Sequence, residues 1–210
     1  MLFLVSGASG VGKSTVREQL APRLGAAFTA LELRDLASTA AVSIRWRQET
    51  ADLAAARAAE LLASDRHLLL SGDPVAPAEL VSAPAAPRAG GVAVCLLDAD
   101  PQTQTSRLTR RGDDPALLEA HLGFARWMRE HAADPLPRLD VLTHDGAPSA
   151  RWDRVARLVA DDRWRVTVVD TSARAPEDVA DAVEHWIRAA LVDDLLVMHP
   201  RDATGHEAHP

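Results

Sequence analysis

One cysteine, an excess of acids over bases, and the lack of any long apolar run each remove a class of protein from consideration. A single thiol allows no internal disulfide, and the place of Cys95 in the apolar run Val92 to Leu97 marks it as a core side chain rather than a reactive one. A formal charge of −7 leaves no broad surface for nucleic acid or for an anionic membrane, since both are bound through a surplus of Lys and Arg. Any anion site must therefore be local. No stretch approaches the roughly 20 apolar residues of a membrane span. The opening Met1-Leu2-Phe3-Leu4-Val5 lacks a basic n-region and is too short for a signal sequence, so the expected location is the cytoplasm. What remains, 47% hydrophobic and 25% charged residues in a chain of 210, is the composition of one folded globular domain.

Short apolar runs alternate with helical patterns along the chain. Leu2 to Val5 reads as a central strand buried on both faces and ended by a Gly-rich turn. A helix is expected from Lys13 or Ser14, ended or kinked near Leu20 by Pro22. Further strands are expected over Ala27 to Leu33, His67 to Leu70, Val92 to Leu97 and Arg165 to Val169. Between them lie an Ala-rich helix over Glu49 to Ala63, a long connection punctuated by prolines 74, 77, 84 and 87, and a short helix over Ala150 to Ala160. Asp100-Pro101 and Asp114-Pro115 each set an N-cap and a first helical residue, the second opening a helix to about Ala133. Pro176 begins a last helix ending near Leu191. This alternation predicts an α/β fold with a parallel sheet. Residues 193–210 read as a flexible tail, whose histidines 199, 206 and 209 are more simply a loose terminus than a metal site.

The chemistry concentrates in Gly7-Ala8-Ser9-Gly10-Val11-Gly12-Lys13-Ser14, the pattern G-x-x-x-x-G-K-[ST] between a strand and a helix. The glycines let the backbone curl into a nest of inward N–H groups that side chains would block. Lys13 offers a point charge to the β and γ phosphates, the Ser14 hydroxyl a ligand for Mg²⁺, and the helix start, with Thr15 next in line, its positive dipole end. The expected cofactors are ATP and Mg²⁺.

In an open parallel sheet, ligands bind beyond the carboxyl ends of the strands. Those ends lead here to Glu32 and Asp35, to Asp73, to Asp98 and Asp100, and to Asp170. Asp73 is expected near the metal on Ser14, with a plain turn as the alternative. Asp100 reads as a cap. Arg107 and Arg111 share a helix face, Arg110 stands beside them, and Arg126 and Arg129 follow on the next helix; guanidinium groups there can neutralise a transferring phosphoryl group or simply face solvent. Arg34, beside Asp35, and Arg45, in Ile44-Arg45-Trp46-Arg47-Gln48, are candidates for binding an acceptor.

The phosphate loop, Val92-Ala93-Val94-Cys95-Leu96-Leu97-Asp98 with Arg107-Leu108-Thr109-Arg110-Arg111, and Val168-Val169-Asp170-Thr171-Ser172 with Pro176-Glu177-Asp178-Val179 together resemble the P-loop kinases of small molecules, the group of adenylate, shikimate and gluconate kinases. The resemblance covers about Leu2 to Leu191. It implies a three-layer fold with strand order 2-3-1-4-5, a kinase domain over 1–192 with a small helical lid over about 107–134, and Thr171 in the nucleotide-base loop. It implies phosphoryl transfer from ATP to a small-molecule acceptor, with no nucleic-acid or membrane partner. Adenylate kinases carry Asp-Gly-Phe-Pro where this chain has Ser71-Gly72-Asp73-Pro74, and shikimate kinases carry an Asp-x-Asp and three glycines that are missing here. The GTPase motif Asn-Lys-x-Asp and the transporter signature Leu-Ser-Gly-Gly do not occur. A hydroxyl acceptor is expected, with Asp35 or Glu32 orienting or deprotonating it. A nucleoside monophosphate kinase and a slow ATPase module without an acceptor are the alternatives.

Overall fold

The computed structural model describes residues 1–39 and 41–202. Its centre is β1 (Leu2–Ser6), every residue of which is buried, because helices cover both faces of the sheet it belongs to. β1 pairs in parallel with β3 (His67–Ser71) and β4 (Val92–Asp98); β2 (Phe28–Leu31) joins β3, and β5 (Thr167–Asp170) joins β4. The order is β2-β3-β1-β4-β5, as expected.

The period of two along the strands sorts their side chains into two clusters. Leu2, Leu4, Leu68, Leu70, Val92 and Val94 face one side, where they meet α3 (Ile44–Leu62), α4 (Pro77–Val81), α6 (Leu118–Ala133) and α8 (Asp153–Ala160). Phe3, Val5, Leu69, Ala93, Cys95 and Leu97 face the other, against α1 (Lys13–Leu24) and α9 (Pro176–Ala190). Cys95 is fully buried and its thiol pKa is pushed up to about 12, as a core thiol requires. Along α3 the buried stripe is almost all alanine, Ala51, Ala54, Ala55 and Ala58, at helical spacing. Among the described residues no helix is long and apolar enough to cross a membrane.

Several boundaries move for identifiable reasons. α1 continues through Pro22 to Leu24, because Pro22 sits on the exposed side where the carbonyl it leaves unpaired meets water, and Gly25 ends the helix instead. α3 starts at Ile44, five residues before Glu49, since the Ser43 hydroxyl accepts the Trp46 N–H. β2 stops at Leu31, where Glu32 opens the single turn α2 (Leu33–Leu36). The connection after β3 is not a surface loop: Val75, Ala76, Ala78, Leu80, Val81, Ala85 and Ala89 are all buried over one sheet face. Glu79, wholly buried there, accepts from the Ala76 N–H and from the Arg47 guanidinium, which offsets the cost of its burial.

α5 (Pro101–Arg111) is capped as expected, with Asp100 accepting the Thr103 N–H. Of the stretch 107–134 expected as a lid, the first turns of α6 are largely exposed, whereas Trp127, Met128 and Ala132 enter the core. A one-turn helix, α7 (Asp140–Thr143), crosses beside α3, where the Gln48 amide donates to Leu142 O.

The tail is docked further than its polar composition implies. Met198 and Val92 exchange backbone hydrogen bonds of 2.9 Å, both Val197 and Met198 are buried, and the buried Arg154 reaches Ala83 O and Asp202. Residues 193–202 therefore run as a strap against the domain, docked at Val197 and Met198, and His199 pairs with Asp194. His206 and His209 lie outside the described residues.

Candidate functional site

A cleft of about 830 Å³ opens at the carboxyl ends of the strands, floored by residues 9–16. The loop leading into it needs its glycines. Gly7 has φ +146°, and a Cβ there would stand 2.5 Å from Leu97 O. Gly12 has φ +101°, a left-handed conformation that lets α1 start at Lys13 directly beneath the cleft. From β3, the Ser71 hydroxyl donates to Lys13 O at 3.2 Å and fixes the start of the helix.

Lys13 is 7% exposed and its ammonium donates to Ala8 O at 2.8 Å. Its pKa is lowered to about 8, first by burial and then by Arg111, against the opposing pull of Asp73 and Glu32. Ser14 and Thr15 are exposed on the cleft floor. Six cations line the cleft, Lys13, Arg34, Arg107, Arg110, Arg111 and Arg174, against one carboxylate, Asp73. In a chain of net charge −7 this is a local concentration of positive charge.

The far wall is built by α5 and the loop after β5. Arg107 donates to Thr171 Oγ1 at 2.8 Å and to Thr171 O at 2.6 Å. The buried Thr171 hydroxyl lies 2.9 Å from Asp98 O and 3.2 Å from Val11 O, so one side chain links β4, β5 and the phosphate loop. Arg111 is paired with Asp113, which holds that carboxyl below its ordinary range. Arg110 lines the cleft beside it. The Gln104 amide donates to Ser9 O at 2.8 Å.

Among the acids, the structure brings Asp73 into the cleft and leaves the other two expected carboxylates outside it. Asp73 has a side chain 9% exposed, one oxygen 3.3 Å from Arg34 Nε and the other buried without a partner. An orphaned carboxylate oxygen in the same cleft as an exposed serine hydroxyl fits a hydrated Mg²⁺, which takes few protein ligands and fills its octahedron with water and phosphate oxygens. Glu32 is paired with Arg17 at 2.9 Å and lies behind Gly72, where a Cβ would meet its carboxyl carbon at 2.6 Å. Asp35 is exposed and accepts the Glu32 N–H at 2.8 Å, closing the first turn of α2. Its position is that of a cap, and the preference for Asp35 as the acceptor's base is not supported by where it stands.

The acceptor-pocket reading of residues 44–48 does not match the geometry either. Arg45 is exposed and away from the cleft, Arg47 is bound to Glu79, and Trp46 packs against the core. Arg126 is exposed on α6 and outside the cleft, and Arg129 pairs with Asp98 at 2.8 Å. Two residues were missed. Arg174 follows Asp170 in the loop already singled out, and Gln104 precedes Arg107 and Arg111 at helical spacing, so the Asp100-Pro101 start alone placed all three on one face.

No family model matches this sequence, and no curated protein does. Solved structures do match it. A sugar kinase from Janibacter sp. HTCC2649 superposes with a TM-score of 0.56 at 15% identity, covering 90% of this chain and 95% of its own. The chain shares its fold with a sugar kinase. Looser likenesses are to the Pnkp1/Rnl/Hen1 RNA repair complex, with a TM-score of 0.47, 16% identity, and 61% and 45% coverage, and to an uncharacterized protein from Eubacterium ventriosum, with a TM-score of 0.47, 12% identity, and 90% and 99% coverage. At 15% identity the likeness to the first of these concerns the α/β fold alone.

Proposed function

We propose that the chain is an ATP-dependent kinase that transfers the γ-phosphoryl group to a hydroxyl of a small molecule. The observation that carries this reading is the meeting of the glycine nest and buried Lys13 with five arginines in one cleft of suitable size. Phosphoryl transfer is catalysed mainly by positioning and by cations around the spreading charge, which is what this cleft offers. Lys13 leaves Ala8 O for phosphate oxygens, and Arg107, Arg110 and Arg111 supply charge from α5. Magnesium bound beside Ser14 and Asp73 would neutralise and orient the phosphates. Asp73 then has one oxygen for the metal and one for the acceptor, since Arg34 can turn from Asp73 to the incoming molecule. The sugar-kinase fold supports a polyhydroxylated acceptor, and Arg34 one that also bears an anion.

The test is a screen of small metabolites for ATP-dependent phosphorylation, with Lys13→Ala as the inactive control. A product phosphorylated on carbon-bound oxygen supports the reading. Transfer onto a phosphate oxygen would replace it with a nucleotide kinase, and phosphate release that no acceptor accelerates would replace it with an ATPase module.

A further inference from the structure

We propose that Gln104 is a positioning residue of the phosphate loop, its amide holding the Ser9 carbonyl on the α5 side so that the Gly10 N–H is turned to the cleft. The inference rests on the phosphate-binding reading of that loop. In a trans peptide the carbonyl of one residue and the N–H of the next point in opposite directions, so fixing one aims the other. Three carbonyls of the loop are held in this way: Ala8 O by Lys13 at 2.8 Å, Ser9 O by Gln104 at 2.8 Å, and Val11 O by Thr171 at 3.2 Å. The N–H groups aimed by these contacts belong to Ser9, Gly10 and Gly12.

The three contacts are not equivalent. Lys13 has another task once phosphates arrive. The Thr171 hydroxyl has one proton and stands nearer to Asp98 O. Gln104 alone is dedicated to the loop. It is 1% exposed, and since a carbonyl only accepts, its NH₂ group must be the end that faces Ser9. Leu108, one turn on, packs over Gly10 so closely that a Cβ there would sit 3.1 Å from its side chain. Gln104 and Leu108 thus seat α5 on the loop, and Arg107 and Arg111 on the same helix inherit a fixed register to the phosphates.

Inorganic tripolyphosphate isolates this role, because it engages the nest without the base loop. Calorimetric titration of the parent and of Gln104→Met, which keeps the volume and removes the donor, is expected to show affinity for tripolyphosphate and for ATP lowered by the same factor, about tenfold, at a similar melting temperature. Ser106→Ala, on the exposed face of the same helix, is expected to hold tripolyphosphate within about twofold of the parent. If Gln104→Met melts too low to titrate, Gln104→Leu, which also removes the donor and adds no charge, gives the same reading. Unchanged tripolyphosphate affinity in the glutamine variants, a loss confined to ATP, or an equal loss in Ser106→Ala would overturn the inference while leaving nucleotide binding intact. A parent that binds neither ligand would overturn both.

Discussion

Lys13 is buried as a cation that the fold would sooner keep neutral, and this strain makes its role testable apart from stability. Burial has lowered its pKa to about 8, so removing the charge relieves the folded state even as it removes the bond to Ala8 O. Lys13→Ala is therefore expected to melt within a few degrees of the parent, or above it, while ATP turnover falls by at least about a hundredfold. A melting curve beside a turnover assay checks both halves. Two aspartates 38 positions apart in sequence make a matching contrast, because Asp73 faces the cleft with an unpaired oxygen and Asp35 closes a helical turn. Asp73→Asn should move the Mg²⁺ midpoint of activity upward and lower the rate about tenfold or more with little change in stability. Asp35→Ala should leave both within about twofold and cost about 1 kcal/mol of stability, the usual worth of a cap. Activity that follows Asp35 instead would return the base to α2.

At the scale of elements, what could be read ahead of the structure was what local chemistry decides. β1, the glycine loop and the start of α5 followed from an apolar run, from backbone demands on glycine, and from an Asp-Pro pair whose Asp100 accepts the Thr103 N–H, whereas Asp114 caps only the short 3-10 turn Pro115–Leu117 and α6 starts after it, at Leu118. The segments that misled share a different cause. Residues 75–89 carry prolines that look like loop punctuation, yet one of them starts α4 and small side chains around them fill a sheet face. Arg45 and Arg47 look alike in sequence, and only the buried Glu79, 32 positions after Arg47, decides which one is held. The strap over 193–202 reads as polar because its buried residues, Val197, Met198 and Pro200, sit among Asp193, Asp194, Arg201 and Asp202. Such contacts are set by tertiary packing and have no local period. The strap's contribution is measurable. Met198→Ala should destabilise the fold by about 3 kcal/mol, the cost of a large-to-small change at a fully buried site. ATP affinity should hold within about twofold, since Met198 bridges Val92 at the end of β4 opposite the cleft. Denaturant melts and nucleotide titration read the two effects separately.

Over the whole molecule the charge pattern is unusual in a way that isolates Lys13. It is the only lysine among 22 arginines, there is no tyrosine, and the one thiol is buried. Arginine stays protonated throughout the alkaline range, so between about pH 8 and 11 few side chains can titrate. The buried amino terminus, whose pKa is lowered from 8.0, is neutral in the folded and the unfolded chain above about pH 9. Lys13 titrates near 8 when folded and at its ordinary 10.5 when unfolded, so in that window the unfolded chain holds more protons and stability rises with pH. Cys95 acts in the opposite sense. Its folded pKa of about 12 lies above the unfolded 9.0, so the folded chain holds the extra proton and stability falls as pH rises beyond 9. The melting temperature of the ligand-free protein should therefore climb from pH 8 to about 9 and then flatten or decline, whereas Cys95→Ala should go on climbing toward pH 10.5. The shift in melting temperature produced by ATP should run the other way, shrinking as Lys13 loses its proton, at a pH somewhat above 8 because bound phosphates favour the charged ammonium. Melting curves at half-unit pH steps, with and without saturating ATP, measure both trends. A ligand-free curve in Cys95→Ala that is flat or falling from pH 8 to 10, or an ATP-induced shift that does not shrink, would mean that Lys13 is not the buried cation that holds the phosphates.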